Sequence, residues 1–318
     1  MKKLIIMLLV TFSVVGAGAW VIETVDDGGG VGRGNSMALD SSGRPHISYY
    51  DGSNGYLKYA RWDGSAWQIE TVDSSMNSVR DTSLVLDSTG NPHIAYHALI
   101  SDYTNYLKYA RWDGATWQIE TLNAPDFDRY SSLALDSTNK PHITYLAGRN
   151  NYQLMYTHWN GTDWLYETID SAGYGPDRFS KPSLALDSAD KPHISFFDTY
   201  DDYGLIKYTH WNGSTWQIET LSTDYVYVVF TALALNILDN PSILGNNLGY
   251  MNYFYMDSSG WQYEFVGFAG PGTPSLAFDS SDNPHLSYYC HSDEILKYAV
   301  RDGSSWQLET VDSTENVG

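Results

Sequence analysis

Residues 36–73 read SMALDSSGRPHISYYDGSNGYLKYARWDGSAWQIETVD, and most of that phrase is written six times along the chain. Its closing words are led by Trp67, Trp117, Trp164, Trp216, Trp261 and Trp306, and one more copy of them begins at Trp20. From Trp20 to Trp306 is 286 residues in six steps, about 48 per unit. A fixed period of that length, built from short extended segments, marks a repeat architecture.

Within one unit four strands are expected, at Ser36–Asp40, Pro45–Asp51, Leu57–Trp62 and Trp67–Asp73. They are rich in Tyr, Trp, Ile and Val and alternate with period two, which suits a pleated surface. Asp40-Ser41-Ser42-Gly43 makes a turn whose last residue needs a left-handed backbone. The matching residues are Gly90, Asn139, Asp190, Asp239 and Asp282, all types that tolerate it. Pro45 and its partners open the second strand, where a missing N–H does least harm. Asp63-Gly64 and its counterparts are hairpin signals. No helical pattern of useful length appears. The fold expected is all-β, a closed six-bladed β-propeller with four antiparallel strands per blade and units ending near 73, 123, 170, 222, 267 and 312. The extra phrase Trp20–Asp26 gives seven fourth strands for six blades.

Residues 1–19 stand apart. Lys2 and Lys3, the apolar run Leu4–Val15 and the small residues Ala17-Gly18-Ala19 form a secretory signal, so residues 20–318 are expected as one secreted domain, extracellular or periplasmic, with no membrane anchor. The net charge is −20 and the pI about 4.5, which disfavours nucleic acid as a partner. The only cysteine, Cys290, occupies the place of Asp51 in the first unit and reads as drift within the repeat. A monomer with no cofactor and no metal is expected.

Most repeated residues read as blade building. The tryptophans fit packing between blades. The histidines after proline, His46, His93, His142, His193 and His285, fit a hydrogen bond inside each blade, as in WD-repeat propellers. One histidine per blade is too dispersed for a zinc site. The repeated glutamates, Glu70 and its counterparts, read as solvated groups or pairs between blades. Arg33, Arg80, Arg129 and Arg178 are different. Each precedes the Asp that ends the first strand by seven or nine residues, in the segment expected to be a loop entering that strand. If the first strand is innermost, these loops line a rim at the channel mouth. Guanidinium forks suit carboxylate, sulfate or phosphate. The alternative is an ion pair to Asp81, Asp128 or Asp177. Aromatic residues Tyr103, Tyr130, Tyr152 and Tyr203 are expected on the same rim. The acidic group Asp198, Asp201 and Asp202 lacks the regular spacing of a calcium loop.

In period and strand pattern, nearly all of Trp20–Asp312 is similar to secreted bacterial-type β-propellers, and in plan to the six-bladed fucose-binding lectins and sialidase-like propellers. The hairpin Trp62-Asp63-Gly64-Ser65-Ala66-Trp67 departs from the sialidase Asp box, S-x-D-x-G-x-T-W, because Gly directly follows Asp. The function expected is a non-catalytic binding propeller, lectin-like in plan, using the Arg/Tyr rim for an extracellular glycan or protein ligand. The alternatives are an interaction scaffold or, more remotely, a sialidase-like glycoside hydrolase or lyase. Near-identity of the units argues against an enzyme, which needs one distinct constellation.

Overall fold

A computed structural model describes residues 4–7, 20–76, 78–101, 104–124, 127–148, 153–170, 181–200, 203–222, 230–247, 249–270, 272–290 and 295–313. Six four-stranded antiparallel sheets account for the repeats, each pairing its strands in sequence order. The fold is a six-bladed β-propeller, as the repeat period predicts.

The chain forms two compact units, Met1–Ala124 and Pro125–Gly318. The first holds blade one (Val31–Leu39, Pro45–Asp51, Tyr56–Trp62, Trp67–Asp73) and blade two (Ser78–Leu86, Pro92–Ser101, Thr104–Trp112, Trp117–Thr121). The second holds four blades. Blade three comprises Phe127–Leu135, Pro141–Ala147, Gln153–Trp159 and Trp164–Asp170; blade four comprises Ser183–Leu186, Pro192–Tyr200, Tyr203–Trp211 and Trp216–Thr220. Blade five runs through Thr231–Leu235, Pro241–Asn247, Tyr250–Asp257 and Gly260–Phe268; blade six through Ser275–Phe278, Pro284–Cys290, Ile295–Asp302 and Ser305–Asp312.

Within each unit the first strands of successive blades pack on one another, so the first strand is the inner one, as its small residues suggest. The serine opening the S-L-A-L phrase has a specific task. Ser36, Ser132 and Ser183 accept hydrogen bonds from the Leu84, Leu184 and Leu233 amides of the next blade, at 3.0, 3.1 and 3.0 Å.

The turn chemistry is as read. Gly43, Gly90, Asn139, Asp190, Asp239 and Asp282 all have positive φ. Where aspartate takes the position it reaches across a blade boundary. Asp190 accepts from the Ser137 amide and hydroxyl (2.7 and 2.6 Å), and Asp239 does the same for Ser188 (3.0 and 2.5 Å). These bonds offset the strain of a non-glycine residue in the left-handed region.

The tryptophans pack between blades. Trp117 stands edge-on to Tyr59, Trp216 to Tyr156, Trp261 to Tyr208 and Trp306 to Tyr253, with centroids 5.1 to 5.4 Å apart. The repeated glutamates complete three of these contacts. The indole N–H of Trp216, Trp261 and Trp306 donates to Glu167, Glu219 and Glu264 of the preceding blade, at 3.1, 3.0 and 3.0 Å.

In five blades the tyrosine at this position meets the repeated histidine. The Nδ1 atoms of His46, His93, His142, His193 and His285 bond the hydroxyls of Tyr59, Tyr109, Tyr156, Tyr208 and Tyr298. Their Nε2 atoms lie 3.2 to 3.9 Å from Asp40, Asp87, Asp136, Asp187 and Asp279. A neutral ring with its proton on Nε2, toward the carboxylate, lets Nδ1 accept from the phenol. Blade five keeps a reduced version, with Ser242 bonded to Tyr253 at 2.9 Å.

A second seam runs through buried carboxylates. Asp73, ending blade one, accepts from Tyr96 and Lys108 of blade two, each at 2.6 Å. Asp26 serves blade one in the same way, accepting from Tyr49 at 2.7 Å and Lys58 at 2.8 Å. The extra phrase therefore stands beside blade one as a preceding blade's fourth strand would. Its strand, Ile22–Asp26, also pairs antiparallel with Leu4–Met7.

Candidate functional site

Arg33, Arg80 and Arg129 do not lie in loops entering the first strand. The inner strands begin earlier than the sequence suggests and contain them, within Val31–Leu39, Ser78–Leu86 and Phe127–Leu135. The reason is irregular pairing. Register shifts fall between Val31 and Ser36, Val79 and Thr82, and Phe127 and Ser131. Such bulges extend a strand through residues of poor β propensity and re-aim their side chains.

In the first unit the structure brings Arg33 and Arg80 together. Gly34, at φ 57°, approaches the Arg80–Asp81 backbone so closely that an added Cβ would collide with the Arg80 carbonyl. Thr82 fixes the approach, its hydroxyl donating to the Gly34 carbonyl at 2.7 Å and accepting from Ser48 at 2.8 Å. Both arginines are exposed. Neither forms an ion pair among the described residues. Asp81, the acidic neighbour expected as a partner, is buried at 6 % exposure.

The surroundings are aromatic. Tyr50 faces Arg33 across the strand pair and accepts a hydrogen bond from Ser78 at 3.2 Å. Tyr50 and Tyr106 are half-buried and pack on one hydrophobic cluster of this unit. Tyr50 is not evident from sequence because it sits in a strand phrase that looks purely structural, and Ser78 because it falls in a segment expected to be a loop. The signal available was the doubled tyrosine, Tyr49-Tyr50, whose two side chains must point to opposite faces.

In the second unit Tyr130 lies in the Phe127–Leu135 strand with φ 53°, at the same offset after its arginine as Gly34. A bulky residue there carries strain of about 1–2 kcal/mol. Its ring meets Phe230 edge-on, centroids 6.2 Å apart. Arg129 and Tyr203 have described backbones within strands, at Phe127–Leu135 and Tyr203–Trp211. Arg178, Tyr103 and Tyr152 lie outside the described residues, as do Asp201 and Asp202. Asp198 is held by Lys207, which also bridges to Asp170 at 3.3 Å. No group of three or more metal-ligating side chains occurs among the described residues.

No protein-family model matches the sequence, and no curated protein does. Solved structures do match the fold. A fungal lectin from Aleuria aurantia, a six-bladed β-propeller described with a fucose recognition mode, superposes with a TM-score of 0.60 at 11 % identity, over 89 % of this chain and 96 % of that one. The SapL1 lectin, solved with α-methyl fucoside, gives 0.58 at 14 % identity over 91 % and 99 %. AofleA from Arthrobotrys oligospora gives 0.59 at 11 % identity over 89 % and 86 %. At such identities the likeness shows the fold.

Proposed function

We propose that this protein is a secreted, non-catalytic glycan-binding propeller, and that Arg33 and Arg80 form the heart of its site. The observation that carries the reading is the pair itself. Two exposed arginines stand on adjacent inner strands whose backbones meet at Gly34 and Arg80, neither in an ion pair among the described residues, in a chain of net charge −20. An acidic chain has carboxylates to spare, so arginines left free of them are available to a ligand. Their forks donate paired hydrogen bonds to a sugar carboxylate or to neighbouring hydroxyls. Tyr50 supplies ring surface opposite Arg33. Arg129, Arg178, Tyr103, Tyr130, Tyr152 and Tyr203 are the further candidates that the sequence of the repeats offers. The fucoside-binding neighbours support a sugar as the ligand class.

The test is a glycan-array screen of residues 20–318, with an Arg33→Ala/Arg80→Ala variant alongside. Binding to one glycan class, lost in a variant that melts at the wild-type temperature, is the expected result. Undiminished binding by that variant refutes the site, and a well-folded wild type that binds no glycan refutes the function. Export is tested by N-terminal sequencing of protein from culture medium or periplasm, with Trp20 expected as the first residue.

A further inference from the structure

Blade five looks degraded in sequence, with Ser242 for histidine and Asn236 for aspartate. Its outer strand has instead gained aromatic surface. Phe265 stands where the other fourth strands have Thr71, Thr121, Thr168, Thr220 and Thr310, and Phe268 where the first and last have Ser74 and Ser313. Phe265, Phe268 and Tyr250 form a cluster with centroids 5.5 to 5.8 Å apart. They are 53, 58 and 45 % exposed, and Tyr263 on the same strand is 73 % exposed.

This strand is the free edge of its sheet. An exposed apolar edge is a template for strand pairing unless it is blunted by charge. Here charge has been withdrawn. Thr231–Phe268 contains only Asp239, Asp257 and Glu264 as charged residues, whereas Val31–Asp73 contains nine. Glu264 is also occupied, accepting from Trp306 and ion-paired with Arg301 of blade six.

We infer that the outer strand of blade five is a self-association surface, and that its occupant is the same strand of a second copy. Charge selects where two copies can meet. Two copies of a chain at −20 repel each other over most orientations, and blade five is where contact costs least. A two-fold contact is self-complementary, so Gly260–Phe268 pairs antiparallel with its copy and sets aromatic rings in cross-strand contact. At roughly 200 Å² per aromatic side chain, the four exposed fractions give about 450 Å² per copy and about 900 Å² for two; the paired backbone brings the total to the roughly 1,000 Å² of a specific interface. The inference departs from the monomer expected from sequence and does not depend on the glycan site.

The test is sedimentation equilibrium of residues 20–318 over a broad concentration range, beside a Phe265→Thr/Phe268→Ser variant. The variant restores residues that sister blades already carry, so it is expected to fold. A wild-type dimer whose dissociation constant rises at least tenfold in the variant is the expected result. A wild type that stays monomeric to its solubility limit overturns the inference, as does a dimer of equal affinity in the variant. Hydrogen exchange on the wild type gives a second reading. Concentration-dependent protection across 260–268 is expected, and protection confined to other strands overturns the proposed surface.

Discussion

Exchanging tryptophan for phenylalanine at two equivalent seams should have unequal costs. Trp261 and Trp117 occupy the same repeat position and meet Tyr208 and Tyr59 with nearly the same geometry, 5.1 Å at 71° and 5.4 Å at 74°. They differ in the indole N–H. That of Trp261 donates to Glu219, whereas that of Trp117 is buried without a hydrogen-bond partner. Trp261→Phe and Trp117→Phe remove similar ring volume, so the packing loss cancels in the comparison. At 261 a bond to a partly exposed carboxylate is lost, about 1 kcal/mol; at 117 an orphaned donor disappears, which returns about 1 kcal/mol. Trp261→Phe should therefore be the more destabilising by about 2 kcal/mol, or roughly 4 °C in melting temperature. Urea denaturation followed by far-ultraviolet circular dichroism measures both. Equal costs, or a larger cost at 117, would refute the reasoning.

Three further outcomes follow from the seams. Burial holds His46, His93 and His193 below the ordinary imidazole value, and burial assisted by neighbouring His158 takes His142 down to about 4. A lowered folded value means stability that is complete above the unfolded pKa near 6.5 and is lost as pH falls through the folded values, so urea midpoints should decline from about pH 6.5 toward pH 4; a flat profile over that window contradicts the neutral triads. Lys108→Met should cost about 3 kcal/mol, because it leaves buried Asp73 without its cation. Burial alone would raise Asp73, but bonds from Lys108, Ser75 and Tyr96 hold it at about 2, and thermal melts of the variant at pH 7 should show the loss. Asp190→Ala should be less stable than Asp190→Gly by about 1 kcal/mol, since both lose the Ser137 clasp but only alanine is strained at φ 60°; equal denaturation midpoints would dismiss the strain argument.

The fold was legible because its determinants are local and repeated. Turn positions such as Asp190 and Asp239 could be assigned a left-handed backbone from residue type alone, and proline fixed the start of every second strand. The site was less legible. Val31-Gly32-Arg33-Gly34-Asn35 has little β propensity, and it becomes strand through pairing with Tyr50 and Asp51 and through Thr82 of the next blade. Those contacts join residues 17 to 48 positions apart, separations that propensity cannot read. The neighbourhood of Arg33 and Arg80 likewise depends on one glycine that lets two backbones approach. The Tyr250–Phe265–Phe268 cluster was visible in sequence only as irregularity, because the exposure that gives it meaning is a property of the folded sheet.

The carboxylate seam has a consequence for where this chain can be cut. Tyr49 and Lys58 both rest on Asp26, as Tyr96 and Lys108 rest on Asp73. Blade one is thus not self-sufficient from Val31 onward, because the preceding phrase is its keystone. Trimming before Trp20 keeps Asp26 itself but removes Leu4–Met7, the strand paired with Ile22–Asp26. Trimming after Asp26 leaves the Tyr49 phenol without its acceptor and Lys58 with only the longer contact to Asp51, at 4.0 Å, although no residue of blade one itself has been touched.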